Sequence, residues 1–79
     1  MGLFARQPAR TQYVDITLNG QPRPVGDRIA IAELLEELGF AGKIVAVEVN
    51  LQLVPVEQRG EHRLADGDRV EIVTLVGGG

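Results

Sequence analysis

The residues of this 79-residue chain that most clearly suggest a chemical function are the last three, Gly77, Gly78 and Gly79. They directly follow an apolar stretch that ends at Val76. Three residues without side chains extend about 10 Å, and glycine enters a narrow channel in conformations that a Cβ atom would prevent. Such a tail brings the α-carboxylate of Gly79 to another protein's active site. A carboxylate becomes an electrophile only once activated, for example as an acyl-adenylate.

The other polar residues offer little for catalysis or metal binding. The chain has no cysteine and a single histidine, His62, which excludes thiolate nucleophiles, disulfides and cysteine-based zinc sites. Asp66-Gly67-Asp68 lacks the further ligands of a calcium loop, and we interpret it as a turn. Glu36 and Glu37 point away from one another on a helix and predict a solvated face. We therefore expect no catalytic side chain, no metal ligand and no bound cofactor, so the chain is not expected to be an enzyme.

The charge distribution favours a protein partner. The net charge is −3, from 8 basic and 11 acidic residues, and residues 1–12 contain two arginines and no acid. The remaining 67 residues therefore hold 6 basic and 11 acidic side chains, a net charge of −5. A domain of that sign binds nucleic acid or anionic membranes poorly and suits a basic protein surface. No apolar run approaches the 18 or so residues of a membrane span, and no secretory signal is present, so we expect a cytoplasmic protein.

The tail must be positioned by the elements before it, and the first of these is a hairpin. Residues 13–18 alternate with period two, with Val14, Ile16 and Leu18 on one face, which predicts a half-buried strand. Asn19-Gly20 is a strong signal for a tight hairpin turn. The returning strand, about 21–25, contains two prolines. Because proline cannot donate to the ladder, this strand must be at a sheet edge.

One helix is predicted after the hairpin. Its apolar residues follow the spacing of a single helical stripe: Ile31, Leu34, Leu35 and Leu38. Gly39 suits the left-handed position after the helix, and Phe40 could then pack on Leu35 in a Schellman motif. Asp27 is the natural N-cap, but if the helix begins at Ile31, Ala30 occupies that position.

The second half of the chain predicts three further strands. Residues 44–49 form a nearly continuous β-branched run, typical of a well-buried strand. Residues 51–54 predict a short strand that ends at Pro55. The turn at 66–68 leads into a last strand over 69–76. A hairpin, a helix and further strands in this order predict a two-layer α+β domain with a mixed sheet of four or five strands. A right-handed crossover, with the last strand beside the first, gives the ubiquitin-like β-grasp arrangement.

This organisation predicts a flexible leader over 1–12, a β-grasp domain over 13–76 and a flexible glycine tail over 77–79. Val70 and Ile72 share one face of the last strand, while Val73 and Leu75 share the other. If the helix covers the first pair, the second pair is exposed beside the tail, and an exposed apolar patch suggests a binding site. We therefore expect Val73, Leu75 and Val76 to contact a partner. A central strand that is apolar on both faces for packing alone remains the alternative.

Six segments match the pattern of one known family: 18–20, 34–39, 45–50, 54–55, 66–73 and 76–79. They closely resemble the ThiS family, the sulfur carrier proteins of thiamine biosynthesis, and the match covers residues 13–79. The tail is typical of sulfur carriers in general, and the Asp-Gly-Asp stretch together with the Val-Gly-Gly-Gly end favours ThiS among them. The chain departs from the family pattern in its extra residues 1–12, in Arg59-Gly60 where an apolar residue is frequent, and in Ala30 where a Ser or Thr cap is usual.

The resemblance implies a mechanism in which this chain supplies no catalytic side chain. An E1-like enzyme of the ThiF type would adenylate the carboxylate of Gly79 with ATP and magnesium, while Gly77 and Gly78 thread into the partner's site. Sulfur from a cysteine desulfurase or another persulfide donor would displace AMP and leave a thiocarboxylate. Thiazole synthase would then take that sulfur for the thiazole ring of thiamine.

The sequence is also compatible with two other functions. The small subunit of molybdopterin synthase would use the same tail chemistry with a different acceptor. A ubiquitin-like modifier or interaction module would instead join its tail to a lysine, or use no tail chemistry.

Overall fold

The structure is a computed structural model that describes residues 12–75. The predicted leader, apart from Gln12, and the predicted tail with Val76 lie outside this range. Gln12 precedes the first strand, and its carbonyl accepts a hydrogen bond from the Asp27 N–H at 2.9 Å.

The described residues form a mixed sheet with one α-helix, as expected for a β-grasp domain. The elements in chain order are β1 (Tyr13–Leu18), β2 (Gln21–Gly26), α1 (Ile31–Glu37), β3 (Val45–Val49), β4 (Gln52–Leu53), a short 3₁₀ helix (Val56–Gln58) and β5 (Arg69–Thr74). The strand order is β2-β1-β5-β3-β4, with β1 and β5 parallel and the other neighbours antiparallel. The last strand is therefore inserted beside the first, as predicted.

The hairpin and the end of the helix follow the predicted local chemistry. Asn19 and Gly20 both have positive φ angles, 49° and 84°, as a tight hairpin turn requires. The strand with two prolines is at one edge of the sheet. Gly39 has a φ of 84°, and the Phe40 N–H donates to the Leu35 carbonyl at 2.8 Å, which is the bond expected of a Schellman motif. At the other end, Glu33 Oε1 accepts from the N–H of Ala30, whose own side chain cannot cap the helix.

The core lies between α1 and one face of the sheet. Its most buried side chains are Ile16, Ile31, Leu34, Val47, Leu64 and Val70. Successive side chains of a strand point alternately toward this core and toward the opposite face. The helix therefore covers only every second side chain of each strand.

The prediction of a well-buried strand over 44–49 is wrong for one of its two faces. The strand begins at Val45 rather than Ile44, and Ile44 is 73% exposed. Val45, Val47 and Val49 are buried, whereas Ala46 is half-buried and Glu48 is exposed. A run of β-branched residues is typical of a strand that is covered on both faces. Among the described residues, however, α1 covers one face of the sheet only. The fourth strand is also shorter than predicted, since Asn50 and Leu51 both turn with positive φ angles.

The Asp66-Gly67-Asp68 segment is a turn, as predicted, and its carboxylates accept backbone hydrogen bonds. Gly67 has a φ of 87°. Asp66 Oδ1 accepts from the N–H of Asp15, and Asp68 Oδ2 accepts from the N–H of Ala65, both at 2.9 Å. The turn thus ties the start of β5 to β1.

Arg59 covers part of the outer edge of β3. Its Nη2 donates to the carbonyl of Val45 at 2.8 Å, while its Nε is buried without a described partner. β4 pairs with β3 only at Glu48 and Val49, so the guanidinium satisfies a carbonyl that lies beyond the end of β4.

Candidate functional site

The strand that leads to the C-terminal glycines is the central strand of the sheet. β5 pairs with β1 on one side and with β3 on the other. Its pairing with β3 extends past the strand's last assigned residue, because the Leu75 N–H donates to the Ile44 carbonyl at 2.9 Å. The backbone is therefore held by hydrogen bonds as far as Leu75, four residues before the end of the printed sequence.

On the β1 side, a single asparagine continues the pairing where β1 has ended. The Asn19 N–H donates to the Val70 carbonyl at 2.8 Å. Its side chain then bonds to both backbone groups of Ile72: Nδ2 donates to the Ile72 carbonyl at 3.1 Å, and Oδ1 accepts from the Ile72 N–H at 2.8 Å. Asn19 therefore contacts β5 three residues before Leu75.

The two faces of β5 differ sharply in exposure. Val70 is fully buried and Ile72 is 6% exposed, whereas Val73 is 55% and Leu75 51% exposed. The helix covers the first pair, so the condition on which the predicted patch depended is met.

Neighbouring strands add further apolar side chains to the same face. Ala46 lies directly opposite Val73 in the β3–β5 register. Ile44 lies opposite Leu75 across their backbone hydrogen bond, and Leu53, which is 65% exposed, pairs with Glu48 on that face. We call this surface the outer apolar face. It consists of Ile44, Ala46, Leu53, Val73 and Leu75.

Two carboxylates lie on the same face, one row farther from the tail. Glu48 and Glu71 are directly opposite one another in the register, and both are exposed. Like charges in this arrangement destabilise a sheet. On β3 and β5 the face therefore presents aliphatic groups next to the tail and negative charge about 7 Å behind them along the strand. Leu53 lies in the same row as the two carboxylates, beside Glu48.

A shallow groove lies beside this face, between the end of the helix and the end of β5. It is lined by Gly39, Phe40, Lys43, Ile44, Thr74 and Leu75. The tail-bearing end of the sheet is thus apolar on its outer face and along this side.

The structure brings together only some of the predicted site residues. Val73 and Leu75 lie side by side on the outer apolar face, whereas Val76 and residues 77–79 lie outside the described range. Sequence reasoning missed Ile44 and Ala46, although their alternation with Glu48 could have indicated a second face for β3. No local signal pointed to the bond between Asn19 and Ile72, because 53 residues separate them.

Within residues 12–75, no group of three or more His, Asp or Glu side chains is placed to hold a metal ion. No helix in that part of the chain is long and apolar enough to cross a membrane.

Comparison with known proteins identifies the family. The model of the ThiS family matches residues 16–79. The sulfur carrier protein ThiS of Thermus thermophilus is 41% identical over 64 residues, covering 81% of this chain and 98% of that protein. A thiazole synthase of Paramagnetospirillum magneticum is 39% identical over 64 residues, but this chain spans only 20% of its length. The crystal structure of the thiamine biosynthesis protein ThiS from Geobacter metallireducens superposes with a TM-score of 0.72 and 33% identity, over 84% of this chain and all of that one. This chain belongs to the ThiS family.

Proposed function

We propose that this chain receives sulfur at the α-carboxylate of Gly79 and delivers it, as a thiocarboxylate, to the enzyme that forms the thiazole ring. As a member of the ThiS family, the chain is a sulfur carrier protein of thiamine biosynthesis. We further propose how the chain is loaded, where it docks and to which partners it delivers sulfur.

The observation that carries the proposal is that β5, the central strand of the sheet, is the strand that leads to the C-terminal residues. β5 is hydrogen-bonded on both sides, and Leu75 is still held by Ile44. Four further residues reach about 13 Å, and the last three of them have no side chain. A rigid strand followed by a slim tail can present a carboxylate inside a partner's active site, because the domain itself stays outside.

Loading requires an activating partner, which we infer to be an E1-like enzyme of the ThiF type. An oxygen of the Gly79 carboxylate would attack the α-phosphate of ATP, with magnesium on the phosphates, and pyrophosphate would leave. The terminal sulfur of a persulfide, carried by a cysteine desulfurase or another persulfide donor, would attack the acyl-adenylate and displace AMP. A thiol reductant would then cleave the S–S bond of the resulting acyl disulfide and leave the thiocarboxylate on Gly79. ATP and magnesium belong to the activating enzyme, and this chain acts as its co-substrate rather than as a catalyst.

The acceptor that we propose is thiazole synthase. A segment similar to this chain forms about a fifth of a protein named thiazole synthase in Paramagnetospirillum magneticum, and the same holds in Magnetococcus marinus. Two activities joined in one polypeptide commonly serve consecutive steps, which supports a separate thiazole synthase as the partner here. We also propose a cytoplasmic location, where ATP for activation is available.

The outer apolar face would dock these partners. Val73 and Leu75 are half exposed beside the tail, and we include Val76 because it follows them directly. Glu48 and Glu71 face one another behind this patch, so a complementary partner surface is apolar near its tail channel and basic one row farther away.

Intact-mass measurement tests the function. The chain is incubated with a ThiF-type enzyme, ATP, magnesium, a persulfide donor and a thiol reductant. We expect a mass increase equal to the replacement of one oxygen by sulfur, located at Gly79 by fragmentation. An unchanged mass, or attachment to a lysine of another protein, would contradict the proposal, and the second result would favour a ubiquitin-like modifier. Sulfur transfer together with the large subunit of molybdopterin synthase, but not with thiazole synthase, would favour the alternative role as the small subunit of molybdopterin synthase.

Deletion of Gly78 and Gly79 is the matched control. Because neither residue belongs to the domain predicted over 13–76, we expect an unchanged melting temperature together with complete loss of activation. Loss of folding on this deletion would show that the tail is needed for the fold and would refute the idea of a free tail.

A further inference from the structure

The side chain of Asn19 takes the place of a missing strand residue next to the tail-bearing end of β5. β1 and β5 pair at only two register positions, Thr17 with Arg69 and Leu18 with Val70. The chain then turns into β2, and the Asn19 carboxamide makes the next pair of bonds, to both backbone groups of Ile72. A carboxamide offers the same donor and acceptor as a peptide group, so it can extend the ladder by one position.

The hairpin turn holds this carboxamide ready for its partner. Asn19 adopts a φ of 49°, which asparagine tolerates better than most residues. Its own N–H is fixed to the Val70 carbonyl. With the backbone held in this way, few side-chain rotations remain to be restricted when the two bonds to Ile72 form.

We propose that Asn19 is a positioning residue for the tail: its carboxamide fixes the direction in which β5 delivers the C-terminal residues to the activating enzyme. Ile72 lies about 10 Å along the strand from Leu75. Without the carboxamide, this end of β5 is held from the β3 side alone, and it can pivot about the bond between Leu75 and Ile44. The kinetic consequence rests on the proposed function, whereas the effect on the strand does not.

Asn50 provides a matched control at the other end of the same strand. It also has a positive φ, 53°. Its Oδ1 accepts from the Arg69 N–H at 2.9 Å, and its own N–H donates to the Arg69 carbonyl at 2.8 Å. Asn19→Gly and Asn50→Gly therefore each remove an asparagine side chain that is hydrogen-bonded to the backbone of β5. Glycine accepts both backbone conformations. Only the first change is close to the tail.

Amide hydrogen exchange tests the structural part. The exchange rate of the Leu75 amide is measured relative to that of Leu34, which is fully buried and whose N–H donates to the Ala30 carbonyl at 3.0 Å. We expect this ratio to rise about tenfold in Asn19→Gly, the size expected for the loss of one or two net hydrogen bonds, and to stay unchanged in Asn50→Gly. Equal ratios in the two variants would overturn the proposal. Asn19→Asp serves as a second variant if Asn19→Gly folds poorly, because it keeps the shape and removes the donor to Ile72.

Steady-state adenylation tests the consequence for the tail. Since the outer apolar face is untouched, we expect Asn19→Gly to keep KM within about twofold and to lower kcat roughly tenfold, because tail alignment contributes to the rate. Asn50→Gly should leave both constants unchanged. An equal loss in both variants, or wild-type kcat in Asn19→Gly, would overturn the positioning role. Failure of the wild-type chain to be adenylated would refute the proposed function instead, and the exchange ratio would still decide the role of Asn19.

Discussion

Val73→Thr separates docking from folding on the tail-bearing strand. Threonine keeps the β-branched shape that suits a strand and replaces one methyl group with a hydroxyl. Val73 is 55% exposed on the outer apolar face, so the change removes little from the core of the free domain. Exposed substitutions of this kind change stability by less than about 0.5 kcal/mol.

The expected loss is in affinity for the activating enzyme. Full burial of a valine side chain is worth about 1.5–3 kcal/mol. Docking would cover the exposed half, and loss of one of the two methyl groups would remove roughly 0.5 kcal/mol of that gain. An unpartnered hydroxyl in the interface adds a cost of about 1 kcal/mol. The sum, about 1.5 kcal/mol, corresponds to roughly tenfold weaker binding.

The assay is titration calorimetry with the activating enzyme, beside thermal unfolding of the free chain. Val56→Thr makes the same chemical change at a valine that is 69% exposed in the 3₁₀ helix, and it should alter neither quantity. Val70→Thr places the hydroxyl in the core, where the side chain is fully buried, and should lower the free energy of unfolding by about 1–3 kcal/mol. Unchanged affinity in Val73→Thr, or an equal loss in Val56→Thr, would refute docking through this face.

Three further changes test other parts of the structure. Glu48→Gln relieves the repulsion from Glu71, so urea unfolding should show a gain of about 0.2–1 kcal/mol while affinity for a basic partner surface falls; a loss of stability would mean that the two carboxylates are not opposed in solution. Arg59→Ala leaves the Val45 carbonyl without its 2.8 Å donor, and chemical denaturation should show that the free energy of unfolding falls by about 1–2 kcal/mol. An unchanged midpoint would contradict this role of Arg59. Gly39→Ala forces an L-residue to a φ of 84°, and thermal unfolding should show a cost of about 1–2 kcal/mol; a neutral result would indicate that the helix ends differently.

The local elements could be predicted because their determinants lie within a few residues. The period of residues 13–18 gave β1 the bounds that the structure has, Tyr13–Leu18. Gly39 and Phe40 marked the end of the helix through bonds that span five residues or fewer. The prolines of β2 indicated an edge strand, because a missing N–H has the same meaning in every sheet.

The exposure of β3 and the role of Arg59 could not be predicted in the same way. A run of β-branched residues fits a strand buried on one face or on both, and only the number of helices that cover the sheet distinguishes these cases. Arg59 departs from the family pattern, yet its function as a donor to Val45 depends on where the loop after β4 comes to lie.

The sequence by itself determined which group the proposed chemistry would use. Three glycines at positions 77–79 in a chain without cysteine favour the Gly79 carboxylate as that group, and this inference needs no knowledge of the fold. Tertiary structure decided which strand leads to the tail and what surrounds that strand as far as Leu75. The outer apolar face combines residues from β3, β4 and β5, and the Asn19–Ile72 bonds join positions 53 residues apart. Such contacts arise only when the sheet assembles, because they depend on register and strand order rather than on any local preference.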